Sequence, residues 1–256
     1  LVATRHRDDL LLGRCLPSIT RQTRPPDLLV VVVDERDEER FESVGRLVRE
    51  AVPDGPPVVM LRNYRTPGAS GAWNTGIDWL LRPVNEAGDP GALYVAILDD
   101  DDAWEPNHLE VCERAVGTRN AHMAVAGLVR HERAGASHAS GREMGETGPG
   151  VKQSIPDHLD ARAFFIKNPH IQGSNLFVRL DSLASAGMFD EHLTSCTDRD
   201  LCIRLFDVPG FAMTSVQAHT VHHYAEAGRS RLSTPGSNAK SRGLDAFFYK
   251  HSLRFD

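Results

Sequence analysis

The stretch Tyr94-Val-Ala-Ile-Leu-Asp99-Asp100-Asp101-Asp102-Ala-Trp104 runs an apolar strand directly into four consecutive carboxylates. Like charges confined at a strand end repel one another, and the arrangement holds only when positive charge arrives. A divalent cation such as Mn²⁺ or Mg²⁺ supplies it, because hard cations take oxygen ligands. A metal held by one or two carboxylates keeps positions open for phosphate oxygens. The run therefore points to a phosphate-bearing ligand. The competing reading is a solvated acidic turn that caps the next helix. The rest of the chain decides between them.

At 256 residues the chain can form one large α/β domain or two small ones. Its 41% hydrophobic and 25% charged residues are those of an ordinary globular protein. A formal charge of −6 disfavours nucleic acid as the main partner. No apolar run approaches the length of a transmembrane segment, and the opening residues do not read as a signal peptide. Cys15, Cys112, Cys196 and Cys202 show neither CxxC pairing nor zinc-finger spacing, which fits packing thiols in a reducing, cytoplasmic setting. Leu1-Val-Ala-Thr4 reads as the end of a strand, so residues upstream of Leu1 are expected.

Strand and helix signals alternate, the mark of a mostly parallel sheet flanked by helices. Leu12, Leu16 and Ile19 recur at helical spacing up to Gln22, and Pro25-Pro26 stops that helix. Leu28 to Val33 is a continuous β-branched run ending at Asp34, as in a strand buried on both faces. A helix is expected from Asp37 to Ala51, a strand at Val58–Leu61, a loop from Asn63 to Gly71 and a helix over Ala72–Leu81. The acidic run ends a strand at Leu93–Leu98, Glu105-Pro106 opens a helix, and Ala121–Val129 reads as a strand. Residues His131 to Ile155 lose all periodicity and read as a long binding loop. Pattern returns at Ser174–Val178, Asp181–Ala186 and Asp198–Phe206, before a mixed, basic tail. The division expected is a single domain over 1–256, with a donor-binding half at 1–104, an acceptor and base half at 105–218, and a tail or lid at 219–256.

In an open parallel sheet, ligands sit beyond the carboxyl ends of the strands. Asp34 and Asp99 each end a central strand, so topology brings both carboxylates to one crevice. An acid placed like Asp34 can accept hydrogen bonds from a nucleobase N–H or a ribose hydroxyl. It can also simply cap the following helix.

Six segments, in order, now resemble a known family, the GT-A nucleotide-sugar glycosyltransferases of family 2. They are Val2-Ala-Thr-Arg-His-Arg7 with Leu16 to Thr23, Val31-Val-Val-Asp34, and Asn63 through Ala72-Trp73-Asn74-Thr75-Gly76-Ile77. The acidic run through Pro106 resembles the family's DXD segment. Gly173-Ser-Asn-Leu-Phe-Val-Arg179 with Gly187-Met-Phe189-Asp190-Glu191, and Thr197-Asp198-Arg-Asp200-Leu201-Cys-Ile-Arg204, complete the set.

The resemblance implies a metal-dependent, inverting hexosyl transfer from a nucleotide-diphospho-sugar, UDP-linked by family habit, to an acceptor hydroxyl. That acceptor is a glycan, a lipid-linked glycan or a small molecule. Donor contacts are implied for Thr4, Arg7, Asp34, Asn74, Asp99 and Asp100, although Asp100 is also read as facing water. Asp101 is implied as metal ligand, Asp102 as support, Asp198 as catalytic base and Asp200 as a supporting acid on Arg204. His222 and His223 are both candidates for a late metal ligand, and on an extended chain they point to opposite sides. Arg229, Ser230, Arg231 and Ser233 read either as a lid over the diphosphate or as a solvated basic tail. Trp73 stands where the family has a cation, for which Arg62, Arg65 or the tail arginines are the substitutes. The alternatives are a nucleotidyltransferase and a non-catalytic sugar-nucleotide-binding module. Arg5-His6-Arg7-Asp8-Asp9, with no glycine, argues against the first, and the complete acid set argues against the second.

Overall fold

The computed structural model of the protein describes residues 1–87, 93–132, 150–225 and 238–255. Two sheets organise them. The first has the order β3-β2-β1-β5 and is parallel throughout, built from β1 (Val2–Thr4), β2 (Leu29–Val33), β3 (Val58–Arg62) and β5 (Leu98–Asp99). Every residue of β2 is buried, as its unbroken β-branched run predicts for a strand covered on both faces. Burying a Val or Leu side chain contributes about 1.5–3 kcal/mol, so this strand anchors the half of the fold that carries Asp34.

The second sheet is mixed. It runs β4-β9-β7-β10-β6, with β4 (Tyr94–Ala96), β9 (Leu176–Arg179), β7 (Met123–Glu132), β10 (Met213–Ala225) and β6 (Ala103–Trp104), while β8 (Val151–Gln153) pairs with β7. Only β7 and β10 run parallel within it.

The strand expected at Leu93–Leu98 is divided. Tyr94–Ala96 pairs antiparallel with β9, whereas Leu98 and Asp99 pair parallel with β1. Ala103–Trp104 then pairs with β10 in the second sheet. Asp100 to Asp102 therefore occupy the turn that carries the chain from one sheet to the other. An apolar run reveals that a segment is buried; it does not reveal which neighbour its backbone will pair with.

The helices follow the expected spacing with local departures. Asp8–Leu10 (α1) and Leu16–Thr20 (α2) are joined by a π-helical turn at Leu11–Cys15. Pro17, near the start of α2, cannot donate a backbone bond to the preceding turn. Asp37 caps α3 (Glu38–Ala51) by accepting from Arg40 N at 2.7 Å. Helix α4 (Ala69–Ala87) starts inside the expected loop and runs past Leu81. Gly71 in its first turn is obligatory, because a Cβ there would lie 1.9 Å from Thr66 O. Helix α5 (His108–Arg119) begins two residues after Pro106. Helices α6 (Ala161–Ile166), α7 (Leu180–Ser185) and α8 (Thr197–Leu205) pack on the second sheet around Phe164, Leu180, Leu183, Leu201 and Ile203.

Two expectations about irregular segments change. The described ends of the 131–155 segment extend β7 and form β8, and 133–149 lie outside the described residues. The tail contains a strand, since His222 and His223 lie within β10, and a helix, α9 (Asn238–His251). No helix among the described residues is long and apolar enough to cross a membrane.

Candidate active site

Parallel pairing brings the carboxyl ends of the first sheet together. Asp34 N donates to Thr4 O at 2.9 Å, and Asn63 N donates to Val33 O at 2.9 Å. The acidic turn begins one strand further along the sheet.

Asp100 does not face water. It is 3% exposed and accepts from Thr4 Oγ1 at 2.8 Å and Arg7 Nη1 at 2.9 Å. Arg7 Nη1 also lies 3.1 Å from Asp101 Oδ2, so one guanidinium compensates two adjacent acids. Four consecutive carboxylates cannot all reach solvent once β1 and β10 flank them. The π-helical turn contributes Arg14, whose Nη1 donates to Asp101 O at 2.7 Å while its guanidinium stacks 3.7 Å from the centre of the Tyr224 ring.

Asp102 is fully buried. It accepts from Ser174 Oγ at 2.7 Å, Tyr224 N at 3.0 Å and His223 Nδ1 at 3.1 Å. Burial pushes its carboxyl up, but these donors and the nearby His223 outweigh burial and hold it below the ordinary carboxylate range. Asp99 is the opposite case. Burial, and then the negative fields of Asp102, Asp101 and Asp198, push its carboxyl well above the usual value. Oxygens of Asp99, Asp101 and Asp102 lie within 4.8 Å of one another. The donor set therefore suits a hard divalent cation, whose charge would relieve the strain on Asp99.

The two late histidines separate. His223 reaches Asp102, whereas His222 donates to Glu105 Oε1 at 2.6 Å and its Nδ1 lies 2.8 Å from His131 Nε2. Strand alternation decides this, turning neighbouring side chains of β10 to opposite faces.

Asp34 accepts from Asn63 Nδ2 and from Gly68 N, each at 2.8 Å, with Arg5 Nη1 at 3.7 Å. Asn74, expected to touch the donor, has another task. Its amide donates to Phe189 O at 2.9 Å and Glu191 Oε1 at 2.7 Å, and its oxygen accepts from Phe189 N at 3.0 Å. With 1% exposure and three hydrogen bonds to Phe189 and Glu191, it ties α4 to the loop before α8. Arg62 and Arg65 do not replace a cation at the acids. Arg62 pairs with Glu38, and Arg65 bridges Asp78 and Glu191, each contact at 2.5 Å.

Asp198 sits in the first turn of α8, two residues after Cys196, which takes a left-handed conformation at φ 62°. Its Oδ1 is buried and finds no hydrogen-bond partner among the described residues. Burial pushes this carboxyl up to about 7, against the opposing pull of its own backbone N–H and of His223. The fields felt by Asp99 include that of Asp198, so α8 lies near the acidic turn. Asp200, fully buried, accepts from Arg204 Nε at 2.9 Å, the i,i+4 pair read from the sequence. Ser174 escaped the sequence reading although it serves two acids, accepting from Asp99 N at 3.1 Å while donating to Asp102. Its place in the Gly173-Ser-Asn segment was the available signal. Arg229, Ser230, Arg231 and Ser233 lie outside the described residues.

Acids gathered at the carboxyl ends of a parallel sheet, joined to a mixed sheet against which helix α8 carries a further carboxylate, define the GT-A glycosyltransferase class. The chain belongs to glycosyl transferase family 2, whose family model matches residues 1–186. It is similar to glycosyltransferase R139 of Acanthamoeba polyphaga mimivirus, with 30% identity over 121 residues, covering 43% of this chain and 47% of the viral protein. The match thus spans about half of the relative's length. In fold it is similar to S. aureus TarS residues 1–349 in complex with UDP-GlcNAc, at a TM-score of 0.60 and 13% identity, covering 100% of this chain and 72% of that one. The mannosyltransferase PcManGT of Pyrobaculum calidifontis, in complex with GDP-Man and Mn²⁺, gives a TM-score of 0.61 and 16% identity, covering 100% and 63%.

Proposed function

We propose that this glycosyltransferase moves a sugar from a nucleotide-diphospho-sugar, UDP-linked, to an acceptor hydroxyl with inversion, using Mn²⁺ or Mg²⁺ and Asp198 as general base. The observation that carries the reading is the pairing of two unlike carboxylate environments close enough to feel each other's charge. One is a cluster of three carboxylates within 4.8 Å of one another, and the other is a single carboxyl pushed up to about 7 with an oxygen that has no hydrogen-bond partner among the described residues.

Asp99 and Asp101 would hold the cation, with Asp102 kept ionised beside them by His223 and Ser174. When bound, the metal supplies positive charge to the departing diphosphate. Arg7, already paired with Asp100 and Asp101, adds a fixed positive charge near the same phosphates. Asp34, oriented by Asn63 and Gly68, meets the nucleoside end of the donor. Asp198 takes the proton from the attacking hydroxyl as its oxygen approaches the anomeric carbon from the face opposite the leaving group. A base near neutrality suits this step, because it is ionised at working pH yet still basic. The same donor class is supported by the ligands of the two solved structures, UDP-GlcNAc and GDP-Man.

The test is release of UDP from UDP-GlcNAc, and of GDP from GDP-mannose, with Mn²⁺ or EDTA. Turnover should need the metal, should fall as pH drops below about 7 as Asp198 protonates, and should fall about 100-fold or more in Asp198→Asn. Turnover indifferent to both EDTA and Asp198→Asn would remove the catalytic reading and leave a binding module.

A further inference from the structure

The last α-helix among the described residues, α9, lies against the residues that carry Asp198, although nothing in the proposed chemistry calls for it. We propose that α9 is a positioning element for sugar transfer, clamping Asp198 from both sides through Gly243 on Ser195 and through His251 and Lys250 on Asp200. The inference rests on the reading of Asp198 as the base.

On the N-terminal side the contact is backbone to backbone. A Cβ on Gly243 would lie 2.4 Å from both the N and the Oγ of Ser195, so only glycine lets the helix approach this closely. Ser195 Oγ donates to Lys240 O at 3.1 Å, which fixes the same approach by a hydrogen bond. Cys196 follows immediately in its left-handed conformation, so the chain turns into α8 where α9 presses on it.

On the C-terminal side the contact is electrostatic and buried. Asp200 Oδ1 accepts from His251 Nε2 at 2.7 Å and from Lys250 Nζ at 2.7 Å. His251, then Arg204 of α8 itself, and Lys250 together hold the Asp200 carboxyl down to about 2 against its burial. Lys250 Nζ also donates to Asp190 Oδ2 at 2.6 Å, tying in the loop before α8. Between the two anchors, the Arg199 guanidinium lies 4.4 Å from the centre of the buried Phe247 ring. Residues 195, 199 and 200 are thus held by α9, and Asp198 lies between them with an oxygen that has no partner of its own among the described residues. Its direction is inherited from the backbone that α9 braces. A small misplacement of a reacting group can cost about 100-fold in rate.

The experiment measures UDP and GDP release from UDP-GlcNAc and GDP-mannose with Mn²⁺, together with donor affinity by calorimetry. His251→Ala and Gly243→Ala should each lower kcat about 10- to 100-fold while donor Kd changes by less than about 3-fold, since the donor residues lie on other elements. His251→Gln returns an N–H donor to Asp200 and should restore most of kcat. Tyr249→Ala, on the same helix but 88% exposed, should leave kcat unchanged. If His251→Ala loses its fold by circular dichroism, Gly243→Ala and Lys250→Met decide alone. Folded His251→Ala and Gly243→Ala with wild-type kcat would overturn the clamp, as would donor affinity falling in step with kcat. Asp198→Asn in the same assay separates the two ideas. Retained turnover there overturns the base reading, whereas turnover lost there but kept in the α9 variants overturns the clamp alone.

Discussion

His223 Nδ1 lies 3.1 Å from Asp102 Oδ2, linking β10 to the acidic turn across 121 residues of sequence. Its neighbour His222 is turned to Glu105 and His131. Only His223 bears on the charge of the acid cluster, and the consequence can be measured. His223→Ala should weaken Mn²⁺ binding about 10- to 100-fold by calorimetry, the range seen when a group orienting a metal ligand is lost. His222→Ala should leave it within about 3-fold. Equal losses in both variants would contradict this division of roles.

Arg7 is the protein's own counter-charge to Asp100 and Asp101, and its side chain is partly exposed. Arg7→Ala should cost about 1–2 kcal/mol in urea unfolding with EDTA present, the value of a charge-assisted hydrogen bond discounted for solvent. Mn²⁺ should recover part of that loss, because a cation at the acids replaces the missing charge. A variant whose deficit is insensitive to Mn²⁺ would separate Arg7 from the metal-binding acids.

Asn74 distinguishes a donor contact from a structural one. Asn74→Ala strands the Phe189 backbone groups and removes a donor to Glu191, so a loss of about 2–4 kcal/mol in stability is expected. Donor affinity per folded molecule should be unchanged. A large rise in UDP-GlcNAc Kd with stability intact would return Asn74 to the donor site.

His108 is fully buried against Trp104, with its Nδ1 2.8 Å from Thr220 Oγ1, and burial pushes its imidazole down to about 3. Below the ordinary value of 6.5 the unfolded chain takes up a proton that the folded protein refuses, so stability falls as pH drops from 6.5 toward 3. The slope from this residue is of the order of 1 kcal/mol per pH unit. Urea titrations between pH 7 and pH 5 should show a shallower loss in His108→Gln than in the wild type.

Much of the N-terminal half was legible in the sequence. The unbroken run ending at Asp34 named a doubly covered strand, and β2 is buried at every residue. The i,i+4 spacing of Asp200 and Arg204 named their ion pair. The acidic run named its need for positive charge, though not how the need is met. Arg7 is close in sequence to β1 yet reaches Asp100 only because β1 and β5 pair. Asn74 illustrates the converse: its residue type fits ligand contact, and only packing shows that its amide bonds to the loop before α8.

The sequence by itself determined the class of the fold and where its acids cluster, because strand burial, helix spacing and clustered charge are local properties written in residue order. Only the tertiary structure decided how the acids divide. Asp100 belongs to Thr4 and Arg7, Asp102 to Ser174, Tyr224 and His223, and Asp99 is left under the repulsion of its neighbours. The physical reason is that protonation and partnering depend on distance and solvent exclusion. Those are set where two sheets meet at Asp100–Asp102, between strands that are far apart along the chain.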